Sequence, residues 1–306
     1  MSKQGDDTME VVTNVKMPIL LSAVVVFAAT LFAAPPTNGG EVSRARRTAE
    51  ALNAFGLEKM KKGDLSGATM KFEEALAVDS SYIVATHNLG KVLSAAQQYD
   101  RAISVLEKAL ELVPDDKGCI VQLVQIHALK GDKNSWRKYL EKAAALPDRF
   151  VLRELPVLLL RQGSVSAARD GAKMALEKEK GNPVCWFNSG LVSDAEKDVA
   201  AAVANYSEAV RLKPDYLAAW VNLGNAFDAQ GKAAEATNAY KKAYECDSTN
   251  SFAQYNYGRM LVLGGVDVAK GFHLLKIASE NEGGASAQAK NLVARLVALA
   301  NEGGAK

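Results

Sequence analysis

Large and small apolar residues recur along most of this chain with a helical spacing, and the pattern repeats about every 34 residues. In its clearest form, the first half of a unit places a large residue, a glycine and a second large residue at i, i+4 and i+7: Trp220, Gly224 and Phe227. The second half has the same spacing with small, large and small residues: Ala236, Tyr240 and Ala243. Residues spaced in this way share one face of an α-helix, so each unit predicts two helices that pack against each other.

Residues equivalent to those of this unit recur in the preceding and following units. The glycine position of the first helix is occupied by Gly56, Gly90, Gly190 and Gly258, and two serines, Ser189 and Ser193, flank Gly190. Two units depart from the pattern: residues 117–148 have Val124 at the glycine position and Trp136 in place of a small residue, and residues 149–182 have Pro156 at the glycine position. Between predicted helices lie Gly63, Gly131 and Gly231, where a left-handed residue ends a helix. We therefore predict seven units.

This pattern resembles the tetratricopeptide repeat over residues 49–282. The resemblance implies an all-α fold, a right-handed superhelical solenoid of about seven helix-turn-helix units. Residues 283–306 contain a further apolar helix with Leu292, Val293, Leu296, Val297 and Leu299 on one broad face. We expect this helix to cover the open end of the stack, as repeat arrays require.

The N-terminal region differs in character from the repeats. A polar tail, residues 1–16, precedes an uncharged apolar segment, residues 17–34, and residues 35–48 contain prolines and glycines typical of a flexible linker. As a helix, residues 17–34 would extend about 27 Å, close to the roughly 30 Å of hydrocarbon in a bilayer. We expect one membrane anchor, with the side of the membrane left open, and a cleaved secretory signal is the alternative.

Composition and charge bear on the function. The net charge of +2 and the interleaving of basic with acidic residues argue against nucleic acid as a partner. The three cysteines are far apart and are expected to be small buried residues. The three histidines have no metal-binding spacing and are expected in the groove or on the surface. We therefore predict no catalytic residues, no metal, no cofactor and no small-molecule substrate.

The first helix of each unit carries a recurrent polar position two residues after the large one, on the side away from the packing face. Amides occupy it at a pitch of 34 residues, and one turn further along the same face lie other polar residues; the candidate peptide-binding residues are Asn88, Lys91, Asn188, Asn222, Asn225, Asn256 and Arg259. The amide row resembles the asparagine ladder in the repeat domain of O-linked N-acetylglucosamine transferase, which implies a grip on a peptide backbone. The alternative is that the asparagines cap local backbone groups or bridge neighbouring units.

Lys91 also suggests a second mode of binding. A family of tetratricopeptide domains holds acidic C-terminal tails with a carboxylate clamp of Lys and Asn, but here the following units offer Gln122 and Glu154 in place of basic groups. The sequence therefore predicts a non-enzymatic, single-pass membrane scaffold that binds an extended segment of a protein partner in its concave groove. A secreted or periplasmic accessory subunit of a membrane enzyme or assembly machine, after signal cleavage, is the alternative.

Overall fold

The computed structural model describes residues 43–147, 149–281 and 285–303. Within these ranges the chain forms α-helices and no strand. The helices are α1 (Arg44–Lys61), α2 (Leu65–Val78), α3 (Ile83–Ala95), α4 (Tyr99–Leu112), α5 (Lys117–Lys130), α6 (Lys133–Ala145), α7 (Phe150–Arg161), α8 (Val165–Lys178), α9 (Pro183–Ala195), α10 (Val199–Leu212), α11 (Leu217–Ala229), α12 (Ala233–Cys246), α13 (Ser251–Leu263), α14 (Val268–Glu280) and α15 (Ser286–Gly303).

Successive helices pack in pairs: α1 with α2, α3 with α4, and so on to α13 with α14. These seven pairs, called units 1 to 7 below, confirm the seven predicted units and the all-helical prediction for the described residues. The right-handed coiling of the array stays a prediction.

First and second helices of the units lie on different sides of the array. First helices of successive units contact each other at most steps, at α1–α3, α3–α5, α5–α7, α7–α9 and α11–α13. Among the second helices of the described part, only α6 and α8 contact each other to a similar extent. Elements on the inside of a curved stack approach each other most closely, so the first helices form the inner face of the array and the second helices form the outer face.

Packing within a unit depends on the glycine of the first helix. A β-carbon at Gly190 would lie 2.3 Å from the Tyr206 ring, and one at Gly56 would lie 2.5 Å from the Phe72 ring. Real β-carbons do not approach other atoms so closely, so only glycine lets these rings pack against the first helix. Tyr206 and Phe72 are fully buried in consequence.

Turns between paired helices use the left-handed backbone region. Gly63, Gly131 and Gly231 have φ of 77°, 72° and 71°, which confirms the predicted helix ends. Units 2 and 5 have no glycine there, and Gln97 and Lys197 take positive φ values of 59° and 61° instead. Side chains rarely adopt this conformation, so these two turns carry a small conformational cost.

Units 3 and 4 pack differently from the others, as their altered residues indicate. Trp136 is buried on α6, and its indole Nε1–H donates to Asp170 on α8 at 3.1 Å. Arg137 donates two more hydrogen bonds to the same carboxylate, at 2.8 and 3.1 Å. These contacts join two second helices, so the bulky Trp136 serves an inter-unit contact that the usual alanine could not make.

At both ends of the array the structure differs from the prediction. Helix α1 begins at Arg44, so the predicted linker, residues 35–48, is too long at its C-terminal end. Helix α15 packs on α14 and Ala289 in its first half is buried, whereas Val297 and Leu299 are exposed, so the predicted broad face is only partly covered. The predicted anchor, residues 17–34, lies outside the described residues. Within residues 43–147, 149–281 and 285–303, no helix combines the length and apolar character needed to cross a bilayer.

Candidate peptide-binding groove

The predicted amide row is present on the first helices, but its members are buried. Asn88, Asn188, Asn222 and Asn256 are 8%, 4%, 5% and 9% exposed. Asn88 and Asn188 are covered in part by the preceding first helix, with which their side chains form hydrogen bonds. Their role as peptide ligands stays a prediction.

Several of these amides connect neighbouring units. Asn188 on α9 donates to the backbone carbonyl of Arg153 on α7 at 2.8 Å. Asn88 on α3 donates to the side-chain oxygen of Asn53 on α1, also at 2.8 Å. The equivalent Gln122 on α5 donates to the His87 carbonyl on α3 at 3.2 Å. This geometry favours the alternative interpretation, in which the row of amides fixes the spacing between first helices.

The remaining two candidates at the C-terminal end of the groove are more accessible. Asn225 is exposed on α11, and its side-chain oxygen accepts a hydrogen bond from the Tyr240 hydroxyl at 2.8 Å. Arg259 on α13 is half-buried and donates to Asp228 on α11 at 2.6 Å. The salt bridge again joins neighbouring first helices, but it leaves Asn225 available to a ligand.

Two carboxylates on the inner face were not predicted from the sequence. Asp194 on α9 accepts a hydrogen bond from the Tyr206 hydroxyl at 2.5 Å, and Glu154 lies half-buried on α7. Burial raises the pKa of both carboxyl groups, against the lowering effect of Tyr206 on Asp194 and of Arg153 and Arg161 on Glu154. Asp194 is exposed and pairs with no lysine or arginine of the described residues, whereas Arg153 and Arg161 lie close enough to Glu154 to lower its pKa.

A sequence signal for one of these acids exists. Asp194 follows Asn188 by six residues, and Asp228 follows Asn222 by the same interval in the next unit. Both aspartates therefore occupy the same place in successive units, near the end of the first helix. The difference between them is that Arg259 pairs with Asp228, whereas Asp194 accepts its hydrogen bond from the Tyr206 hydroxyl.

Lys91, the remaining candidate, lies half-buried on α3, where burial lowers its pKa. Close to it in sequence, His87 is buried rather than in the groove or on the surface as expected, and so is His127; His273 is exposed. Burial also lowers the pKa of His127, despite the opposing charge of Asp132. The inner face of unit 2 therefore lacks the exposed basic pair that a carboxylate clamp requires.

One group of side chains has the composition of a metal site. Ligand atoms of His87, Asp116 and Cys119 lie within 4.8 Å of one another. However, Asp116 caps α5 by accepting from the Cys119 N–H at 2.7 Å, and it pairs with His87 Nε2 at 2.6 Å. Burial and the Asp116 charge raise the pKa of the Cys119 thiol, whereas a metal binds the thiolate. The contacts are those of a capped helix end, and the absence of a metal stays a prediction.

The cysteines were expected to be buried. Cys119 and Cys185 are buried, which confirms the expectation for two of them, but Cys246 is exposed at the end of α12. Its sulfur lies 3.8 Å from the Pro214 carbonyl oxygen. The exposed position does not affect the groove because α12 is a second helix on the outer face.

Paired antiparallel helices, a glycine under a buried aromatic ring and an inner face made of first helices define a helical-repeat scaffold. Three family models give the particular family: a tetratricopeptide repeat matches residues 59–118, a TPR repeat matches residues 195–231, and a tetratricopeptide repeat matches residues 217–250. Residues 59–118 and 195–250 therefore match the tetratricopeptide-repeat family, as the sequence pattern predicts.

Curated relatives share this region at low identity. The peroxisomal targeting signal receptor of Candida albicans is 28% identical over 224 residues, which cover 67% of this chain and 36% of the receptor. The chloroplastic tetratricopeptide repeat domain-containing protein PYG7 of Arabidopsis thaliana is 30% identical over 107 residues, covering 34% of this chain and 36% of that protein. The chain thus matches about a third of the length of either relative.

Solved helical structures also match this chain at low sequence identity. Yeast Tom70 matches with a TM-score of 0.49 at 16% identity, covering 90% of this chain and 58% of that one. The human IFIT1 dimer with PPP-AAAA matches with a TM-score of 0.48 at 20% identity, covering 84% of this chain and 65% of that one.

Proposed function

We propose that the chain is a non-enzymatic scaffold that holds an extended, basic segment of a partner protein along the inner face of units 4 to 7. The observation that carries this proposal is the position of two carboxylates on successive parts of that face, the half-buried Glu154 and the more exposed Asp194, both with a pKa raised by partial removal from water. Partial removal from water makes the charged form of a carboxylate costly unless a cation compensates it, so two such groups on one face are suited to bind a cation from outside.

Other groups on the same face suit an extended backbone. Asn225 is exposed and offers both a donor and an acceptor, and the half-buried Asp228–Arg259 pair borders it. The buried Asn188 connects α9 to α7 and so restrains the two helices that carry the carboxylates, which reduces the entropy lost on binding. The family and the targeting-signal receptor relative support a protein ligand over a nucleic acid or a small molecule.

A displayed-peptide selection on the full chain tests this function. One library would carry Lys and Arg at alternate positions, and a matched library would carry Asp and Glu. We expect enrichment from the basic library only, and binding of a selected peptide, measured by fluorescence anisotropy, should fall by about tenfold or more in Glu154→Gln/Asp194→Asn.

The matched control is Glu111→Gln/Asp115→Asn, which removes two exposed carboxylates outside the inner face of units 4 to 7. This variant should bind the selected peptide like the wild type. Equal losses of peptide affinity in the two variants would show that the effect comes from overall charge and not from these two sites. Enrichment from the acidic library alone would contradict the proposal.

We further propose that residues 17–34 hold this scaffold at a membrane as a single span. The support is the uncharged apolar sequence of the segment and its length. Carbonate extraction should leave the full-length protein in the membrane pellet. Release into the supernatant, or a mature N-terminus near Pro35, would favour the secreted or periplasmic accessory subunit instead.

A further inference from the structure

A second candidate site lies on the outer side of the array, between units 4 and 5. It is an open cavity of about 410 Å³ bordered by α8, α9 and α10, and its lining includes the buried Ser189, Val192 and Ser193 and the half-buried Trp186. This volume is within the range of about 300–1,000 Å³ typical of ligand pockets.

The cavity has a cause in the sequence. Ser189 and Ser193 stand where unit 6 has Leu223 and Phe227, so two large seam residues are replaced by hydroxyl-bearing small ones. Both serines are buried, and each hydroxyl donates back to its own helix, to the Cys185 carbonyl at 2.9 Å and the Ser189 carbonyl at 3.0 Å. Because the hydroxyls are satisfied locally, the space above them can accept an apolar group.

The rim of the cavity carries exposed lysines, which favour an acidic ligand. Lys173 and Lys180 are exposed at the rim, and in the described chain neither forms a salt bridge. Glu196 is paired with Arg169, which leaves Glu177 as the unpaired acid of the rim. The half-buried Trp186, fixed by its hydrogen bond to the Lys180 carbonyl at 2.7 Å, supplies a rigid aromatic wall.

We propose that this cavity is a docking pocket for a large apolar side chain, aromatic above all, carried by an acidic segment of a partner protein. The apolar anchor fills the space that the serines leave, beside Trp186, and flanking carboxylates pair with Lys173 and Lys180. The pocket lies on the face opposite the inner groove and prefers the opposite charge, so its occupation is independent of the proposed groove function.

Methyl NMR on the full chain tests this proposal with defined peptides. The probes are acetylated and amidated Glu-Glu-Phe-Glu-Glu, its Ala counterpart without the anchor, and its Lys-Lys-Phe-Lys-Lys counterpart. We expect saturable shifts of the Leu176 and Val192 methyl signals, both from the pocket lining, with the first peptide, none with the second and weaker ones with the third.

Two variants test the pocket itself. Ser189→Leu restores the large seam residue. This variant should bind the Phe peptide about tenfold more weakly or worse, without a lower melting temperature. Ser104→Leu, an exposed site on α4, is the matched control and should bind normally. Lys173→Glu/Lys180→Glu changes only exposed residues and should reverse the preference between the acidic and the basic peptide.

Equal shifts with the Phe and Ala peptides, or unchanged Phe-peptide binding in both pocket variants, would overturn the proposal. Larger saturable shifts of the same methyl groups with single-stranded oligothymidine than with the acidic peptide would overturn the choice of a protein partner.

Discussion

Gly224 and Tyr240 are placed so that a β-carbon on the glycine would lie 2.4 Å from Cε1 of the ring and 2.6 Å from Cδ1. Tyr240 is fully buried, and its hydroxyl reaches the inner face, where it donates to Asn225. One close approach therefore sets both the separation of α11 from α12 and the position of a groove residue.

Replacing Gly224 by Ala should destabilise unit 6 by about 1–3 kcal/mol, and Leu should cost more, because the ring cannot move without opening the seam. Hydrogen exchange should localise the loss to units 5 to 7, since each unit contacts only its neighbours. Gly181→Ala, where no atom lies within 4 Å of the added carbon, is the control. Uniform loosening from unit 1 onward would contradict local coupling.

Asn188→Ala should destabilise the junction of units 4 and 5 by about 1–3 kcal/mol, because the Arg153 carbonyl loses its donor in a buried place. Asn225→Ala, which changes an exposed side chain, should cost much less. Thermal unfolding of the two variants provides the comparison. If both variants melt at the wild-type temperature, the buried amide does not connect the units.

The repeat and its turns could be predicted from this sequence because they depend on local spacing and on residue size. The left-handed turns at Gly63 and Gly131 and the glycine–aromatic seam are of this kind. The burial of Asn188 could not be predicted from one helix, since the helix that covers it belongs to the preceding unit.

The candidate site was predicted less completely than the fold. The repeat spacing predicts Asn225 and Arg259 as groove residues. From the sequence, Glu154 is only an acidic residue at a position where a carboxylate clamp needs a basic one. The neighbouring Arg153 forms its salt bridge with Glu179 rather than with Glu154. Such choices among side-chain partners are not encoded in repeat spacing.

Asp170→Asn should weaken the junction of units 3 and 4 by about 1 kcal/mol, a small value because Arg137 is half exposed and solvent screens the pair. Burial alone would raise the pKa of Asp170, but hydrogen bonds from Arg137 and Trp136 outweigh it and lower the pKa. The stabilisation that Asp170 gives to the junction is therefore fully present above the ordinary carboxyl pKa. It is lost as the pH falls through the lowered pKa of Asp170 in the folded chain. Unfolding measured across acidic pH should show a smaller difference between Asp170→Asn and wild type as the pH falls; an unchanged difference would contradict this.

The groove carboxylates should have the opposite effect on stability. The raised pKa values of Glu154 and Asp194 mean that the folded chain holds protons more tightly than the unfolded chain. Their destabilising effect is full above the raised pKa values and is relieved as the pH falls toward the ordinary carboxyl value of about 4. Glu154→Gln/Asp194→Asn should therefore be more stable than wild type at neutral pH, by a margin that shrinks on acidification. A less stable variant at neutral pH would show that the carboxylates stabilise the fold.

Site-specific photo-crosslinking tests the central claim, the location of the partner, most directly. Benzoylphenylalanine at Asn225 lies on the inner face of α11, and the same group at the exposed Lys241 lies on the outer helix of the same unit. With a peptide selected from the basic library, we expect crosslinking from position 225 and none from position 241, and we expect the crosslink at 225 to be lost in Glu154→Gln/Asp194→Asn. Crosslinking from position 241 with none from position 225 would place the partner on the outer face and contradict the proposed groove.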